Sequence, residues 1–464
     1  MIMRYLYIVI LIFFSIVSKA QNSDALVNFK HLEHLTETIP FQGDTVDIVH
    51  VYANYPNYEW ENAGEEGIAC VDDAARAAVL YLRHYELTRD EHSLACAKRL
   101  VKFVMHMETD DGMFYNFVLN AHAVNREGGT SFKSFGWWAA RSVWSMSVAY
   151  RIFMKHDSLF ANDLQLGIKK TFPHIDSLFQ HYGMFLSNKG LRVPRWLLYG
   201  SGADATSELM LGLTEYYSAT HDRTVRIYIK KLAGGLIAMQ DGDTKTSPYG
   251  LHRSWETFWH MWGNGQTLAL ANAGKVLNDK RMIHSAELEA DGFYSRLLIE
   301  GFKKEMDVAD TSHTKQFEQI AYGVCPMAVG LLRLYDATKN TDYLTLAGLA
   351  SSWLTGNNIL HQPMYDAATG RCFDGITDSI SCNKNSGAES TIEALLTLTE
   401  LNKYPLAERY LDYKIIECKN TPAVCFGVFQ NAAHNEVTVS LDLKKGVMNI
   451  FEGDASKMFR SNHR

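Results

Sequence analysis

Basic residues are in deficit: 45 Lys and Arg stand against 52 Asp and Glu, a formal charge of −7. That excludes the clustered cations a nucleic-acid partner needs. Only 9 prolines occur in 464 residues and no low-complexity tract appears, so the chain lacks evident linkers. Seven cysteines form no CxxC pair, which excludes the usual structural zinc site. An odd number also leaves at least one thiol unpaired. Cys372/Cys382 and Cys418/Cys425 are near enough in sequence for local disulfides, and packing as small buried hydrophobes is the alternative. GxSxG, HExxH and P-loop motifs are missing, so serine-esterase, zincin and nucleotide chemistries lack support. No cofactor or metal is expected. After the N-terminus, no apolar run approaches the roughly 20 residues of a membrane span.

The chain opens with Arg4, an apolar stretch Leu6 to Val17, and Ser18-Lys19-Ala20 before Gln21. This is the pattern of a cleavable export signal over residues 1–20, giving a secreted or periplasmic protein. An uncleaved anchor is the alternative. The full sequence is 47% hydrophobic, enough for a sizeable core.

Helical apolar spacing dominates from about residue 72 to 412, and twelve segments pair up. The first helix of each pair is expected near Asp72, Trp137, Asp204, Asn264, Tyr322 and Gly387. These starts recur every 58 to 67 residues, the mark of a helical repeat. Within pairs the turns are short and polar, as in Thr88–Ser93 and Thr220–Thr224. Between pairs the connections are long, as in Asp110–Phe135, Asp241–Gly263 and His361–Ser386. Short turns make antiparallel neighbours, so all long loops fall on one face. Small residues at the odd-helix starts suit an inner ring. The expected fold is all-α: an (α/α)6 toroid of six helical hairpins over residues 21–410. A small β-like tail, residues 411–464, carries strand patterns at Tyr413–Lys419, Val437–Leu443 and Gly446–Phe451.

Candidate chemistry gathers on the long-loop rim. Asp72 and Asp73 open the first inner helix, and Glu389 opens the sixth within Asn385-Ser-Gly-Ala-Glu-Ser-Thr391. Ring closure brings them together as acid and base candidates. The competing readings are an Asp N-cap and a capping box of Ser386 with Glu389. Arg76, one turn after Asp72, is expected to pair with it. Asp204 and Glu208 share a helix face. Asp111, Glu318, Asp374 and Asn385 sit in long loops, as do aromatic residues suited to sugar faces: Trp137, Trp138, Trp255 and Trp259, with Tyr52, Tyr55, Tyr58 and Trp60. All of these are candidate substrate contacts. Asp72-Asp73 lacks the third acid of a DDxxD metal motif, because Arg76 stands there.

With these motifs the sequence resembles the six-hairpin glycosidase superfamily. More narrowly, Val71-Asp-Asp-Ala-Ala-Arg-Ala77, Asp374-Gly375 and Gly387-Ala-Glu-Ser-Thr391 look like the helical domain that accompanies some bacterial glycosyltransferases. Ala74 departs from the usual Asn of that motif, and no glycosyltransferase domain is fused here. The resemblance implies a carbohydrate partner. The expected activity is an inverting glycoside hydrolase using Asp72 or Asp73 with Glu389, about 6.5–9.5 Å apart. A non-catalytic glycan binder is the alternative. So is a lyase or epimerase, which His106, His122, His252 and His260 leave open.

Overall fold

Six helices begin where the long loops end: Val71–Thr88, Trp137–Phe153, Ala203–Thr220, Gln266–Leu277, Ala321–Thr338 and Ala388–Leu401. Each start lies within two residues of its expected place. In this computed structural model, which describes residues 26–460, each of the six packs on the next and the sixth packs on the first. The array therefore closes into a ring and is not an open superhelix. The expected leader lies outside the described residues. Among them, no helix is long and apolar enough to cross a membrane.

Burial explains which helices are inside. In the second inner helix every residue from Trp138 to Phe153 is buried except Arg151. A helix covered all round belongs in a core. The outer helix Arg223–Ala238 instead buries one stripe, Val225, Tyr228, Ile229, Leu232, Ala233, Gly235 and Leu236. Inner helices touch closely because glycine permits it: a Cβ on Gly212 would sit 2.7 Å from the Trp144 backbone nitrogen.

The short turns repeat one chemistry. Four inner helices end on a left-handed residue, Arg89, His221, Asn278 and Lys339. Asp90, Asp222 and Asp279 then cap the outer helices that follow.

Five outer helices are full: Glu91–His106, Ser158–Lys170, Arg223–Ala238, Lys280–Glu289 and Asp342–Ser351. The fourth continues through one π-turn into Ser295–Glu300. The sixth is a four-residue stub, Pro405–Glu408, which corrects the expectation of six complete hairpins. The outer flank of the sixth inner helix is covered partly from the other end of the chain, by the short helix Lys30–Leu35. Beyond that helix a hairpin, Thr36–Phe41 with Asp44–Val49, lies on the first outer helix.

The tail forms a four-stranded antiparallel meander, Lys414–Asn420, Val424–Gln430, Glu436–Asp442 and Val447–Glu452, packed on Ser295–Glu300. The unexpected strand is Val424–Gln430. Its residues 425–429 are all buried, so it lacks the alternation that marks a half-exposed strand. After the last strand comes the helix Ser456–Arg460, whose Phe459 ring lies 5.3 Å from Phe426. All seven cysteines are free thiols. In the sheet Cys418 faces Gly427 and Cys425 faces Asn420, so neither expected local disulfide forms.

Candidate functional site at the ring mouth

The long-loop end of the ring carries a connected polar cluster fed by all but the fourth inner helix. At its centre is Arg76, 2% exposed. Its Nη2 donates to Asp73 Oδ1 at 2.7 Å and to Glu389 Oε2 at 3.1 Å, and its Nη1 reaches Glu393 Oε1 at 3.1 Å. Nε donates to the Asp72 carbonyl. Arg76 therefore pairs with Asp73 and not, as expected, with the Asp72 carboxylate. Asp72 turns to the second helix, where Arg141 Nη1 reaches its Oδ1 at 2.7 Å, while Asn116 donates to Oδ2 at 3.0 Å. Arg141 also donates to the Tyr322 hydroxyl at 2.5 Å, and Tyr322 donates to Glu208 at 3.2 Å. Trp137 packs against the Arg141 guanidinium at 4.9 Å.

Neither Asp72 nor Asp73 is an N-cap, because Cys70 holds that position without a side-chain bond. The capping box is absent too. Gly387 is the cap residue, and Asp374 from the preceding loop reaches in: its Oδ1 accepts from Gly387 N at 2.8 Å and Ser390 Oγ at 2.6 Å. Ser386 Oγ instead accepts from Cys372 N. Glu389 is thereby free to cross the ring.

Oxygen accounting separates the carboxylates. Both oxygens of Asp72 are bonded, as above. Asp73 is 5% exposed, with Oδ2 accepting from the Cys70 thiol at 3.2 Å. Its oxygen and that of Glu389 share one Arg76 nitrogen, at 2.7 and 3.1 Å, which caps their separation at about 5.8 Å. That is shorter than the expected opening of about 6.5–9.5 Å for an intervening water. Among the described residues nothing bonds to Glu389 Oε1 or to Asp374 Oδ2, and the Glu389 side chain is 44% exposed. Asp374 borders a cleft of about 510 Å³ with Tyr52, Asn54, Glu61, Glu66, Asn383 and Asn385. Burial raises the carboxyl pKa of Asp374, its two hydrogen bonds lower it, and Glu389 adds to the rise. Burial also raises Asp73 and Glu208, against the pull of Arg76 and Arg141 respectively, and pushes Glu393 up to about 7 despite its contact with Arg76. The Tyr52 hydroxyl is raised by burial and by the charges of Asp73, Cys70, Glu389 and Asp374.

Opposite this group, Asp204 Oδ2 meets His260 Nε2 at 3.0 Å. The His260 ring lies 4.8 Å from Trp255 and 4.2 Å from Trp262, and its Nδ1 is buried without a partner. Trp255 is 43% exposed. Beneath the mouth, Arg83, Glu215 and Glu400 follow Arg76, Glu208 and Glu393 by seven residues, two turns or about 10 Å lower. They join Arg151 and Arg333 in a second layer, with Arg151 to Glu215 at 2.8 Å and Arg333 to Glu400 at 2.6 Å.

Several expected contacts lie elsewhere. Trp259 is 0% exposed and packs on Phe293 in the core. Trp138 is buried, and its Nε1 donates to the Phe114 carbonyl. Asp111 holds its own turn through Thr109 and pairs with Lys133, on a loop that meets the second outer helix at Lys170. Glu318 is exposed on a connecting loop. Asn385, by contrast, does edge the cleft, and it also bridges loops, accepting from Tyr55 N at 3.0 Å. His252 belongs to a buried structural network with Glu289 and Ser285. Arg141, Asn116 and Glu393 are mouth residues that the sequence reading did not single out. Two arginines, Arg141 and Arg151, in the acid-free helix Trp137–Phe153 were the available signal, since a buried charge there demands a partner from elsewhere.

No protein-family model matches the sequence, and curated proteins offer no match either. Solved structures do. A sugar epimerase from a ruminal bacterium superposes with a TM-score of 0.58 at 13% identity, over 83% of this chain and 98% of that one. Cellobiose 2-epimerase from Spirochaeta thermophila gives 0.58 at 12% identity, over 86% and 98%. A metagenome-derived glycoside hydrolase family 9 endoglucanase gives 0.50 at 12% identity, over 82% and 80%. These neighbours are (α/α)6 toroids of the six-hairpin glycosidase superfamily, and the chain shares their fold.

Proposed function

We propose that the protein is an exported carbohydrate-active enzyme that hydrolyses a glycosidic bond at the ring mouth. The observation that carries this reading is the pair of open carboxylate oxygens: Asp374 Oδ2, on a cleft edged by aromatic and amide side chains, and Glu389 Oε1, on the first turn of the helix that Asp374 caps. Asp374, whose pKa burial raises, is suited to hold a proton and give it to the leaving glycosidic oxygen. Glu389 takes a proton from water as that water attacks the anomeric carbon. An inverting course is the expectation, because the free Glu389 oxygen reaches solvent, where a water can be held. Asp73, Arg76 and Glu393 fix the orientation of Glu389. The leader pattern of residues 1–20 supports export.

A second reading, epimerisation of a reducing-end sugar, is favoured by the His260–Asp204 pair with its unpartnered Nδ1, together with the epimerase neighbours. Incubation with a glycan panel in D2O, followed by NMR, separates the readings. New reducing ends without carbon-bound deuterium mean hydrolysis. Deuterium at C2 with the glycosidic bond intact means epimerisation. An unsaturated product means a lyase, and affinity without turnover means a binder.

A further inference from the structure

A second cavity, about 320 Å³, is tied to the cleft through the segment Asn383–Ser386. Asn383 and Asn385 face the cleft, while the Ser386 carbonyl accepts from His31 Nε2 at 2.8 Å and the Lys384 carbonyl accepts from Tyr58 Oη at 3.2 Å. Lys30, His31, His34, Asn57, Thr369 and Arg371 line this second cavity, with no carboxylate among them.

Among the described residues its cations make no ion-pair contact, although Asp366 stands opposite Arg371 in a two-stranded pairing. The Arg371 guanidinium lies 4.1 Å over the Tyr58 ring, and its Nε is buried with no partner. Among the described residues, no carboxylate comes within ion-pair distance of Arg371 or Lys30, in a chain of formal charge −7. The nearby acid Asp366 spends its oxygens on its own turn, accepting from Ala368 N at 3.0 Å and Thr369 Oγ1 at 2.6 Å. A half-buried guanidinium without an anion is costly unless a ligand completes it.

The two imidazoles add the opposite polarity. His31 and His34 each direct Nε2 to a backbone carbonyl, of Ser386 and Tyr58, at 2.8 Å. Those nitrogens carry the protons, which leaves each Nδ1 a lone pair. Burial holds His31 down at about 4, so it stays neutral near pH 7. The cavity thus offers cationic donors, Lys30 and Arg371, beside imidazole acceptors. A free inorganic anion would use only the first. A sugar bearing an anionic group would use both, its hydroxyls donating to the imidazoles.

We propose that this cavity is a subsite for an anionic sugar unit, carrying a carboxylate or a sulfate ester, of the glycan processed in the cleft. The proposal rests on the carbohydrate reading given above.

Calorimetric titration of the full mature protein with glucuronate, glucose 6-sulfate, inorganic sulfate and glucose tests it without requiring turnover. The result therefore stands whether or not a glycan is cleaved. One or both anionic sugars should bind saturably and at least about tenfold tighter than glucose, the tighter of the two naming the anionic group. Arg371→Gln and, on the exposed side, Lys30→Ala should each weaken that binding at least about threefold with the fold intact by circular dichroism. Anionic sugars that bind no better than glucose would overturn the proposal. So would variants that bind like wild type, or inorganic sulfate that binds as tightly as either sugar.

Discussion

Arg76 on the first inner helix and Glu389 on the last meet at 3.1 Å across a sequence separation of 313 residues. That contact is both the latch of the ring and the hold on the open carboxylate. Asp73 and Glu393 bind the same guanidinium, so its removal strands three carboxylates, two of them buried. Arg76→Met should cost roughly 3–5 kcal/mol of stability, the range for breaking a buried pair from one side. Urea unfolding of the variant against wild type measures it, and a loss under 1 kcal/mol would deny the latch.

The second and third inner helices approach through Gly212, where an added Cβ would meet the Trp144 backbone at 2.7 and 2.8 Å. Backbone cannot yield as a side-chain tip does. Gly212→Ala should destabilise by about 1–3 kcal/mol despite its better helix propensity. A calorimetric melting scan distinguishes this from the stabilisation expected at an uncrowded glycine.

Two tryptophans four residues apart should behave oppositely. Trp259 is fully buried against Phe293, and Trp259→Ala should cost roughly 3–5 kcal/mol. Trp255, 43% exposed beside His260, should leave the melting temperature nearly unchanged when replaced by alanine. In its place glycan affinity should fall, by about 0.5–1.5 kcal/mol if the ring stacks on a sugar. Equal thermal losses in the two variants would contradict the placement.

What the sequence revealed depended on local signals. Inner-helix starts were readable because long loops alternate with short turns, four of which repeat a left-handed residue before the next helix. The partnerships at the mouth were not readable. Spacing suggested Arg76 with Asp72, yet Asp72 finds Arg141 from the next hairpin. Glu389 fitted a capping box until Asp374, thirteen residues upstream of Gly387, took the capping role. Trp259 and Trp255 were indistinguishable because burial depends on which side of a short hairpin faces the core. Val424–Gln430 went unrecognised since both its faces are covered.

Glu393 makes a pH prediction. Its folded pKa, raised by burial to about 7, exceeds its ordinary value of 4.5. The folded state therefore holds the proton more tightly than the unfolded state. The resulting stabilisation is complete below pH 4.5 and is lost as pH rises through about 7. Glu393→Gln cannot ionise and lacks this loss. The melting temperature of the variant relative to wild type should climb between pH 5 and pH 8. A flat or falling difference would show that the Arg76 contact outweighs burial.

The central claim is that Asp374 and Glu389 carry the chemistry while Asp72 and Asp73 only position it. The most direct measurement is turnover of a cleaved glycan by Asp374→Asn and Glu389→Gln, with melting temperatures recorded alongside. Each substitution keeps the shape and removes the charge, and Asp374→Asn retains the Oδ1 acceptor that caps the sixth helix. The account predicts a fall in kcat of at least about 100-fold in each, as expected for loss of a general acid or base, with little thermal change. Near wild-type cleavage by both variants in folded form would contradict it.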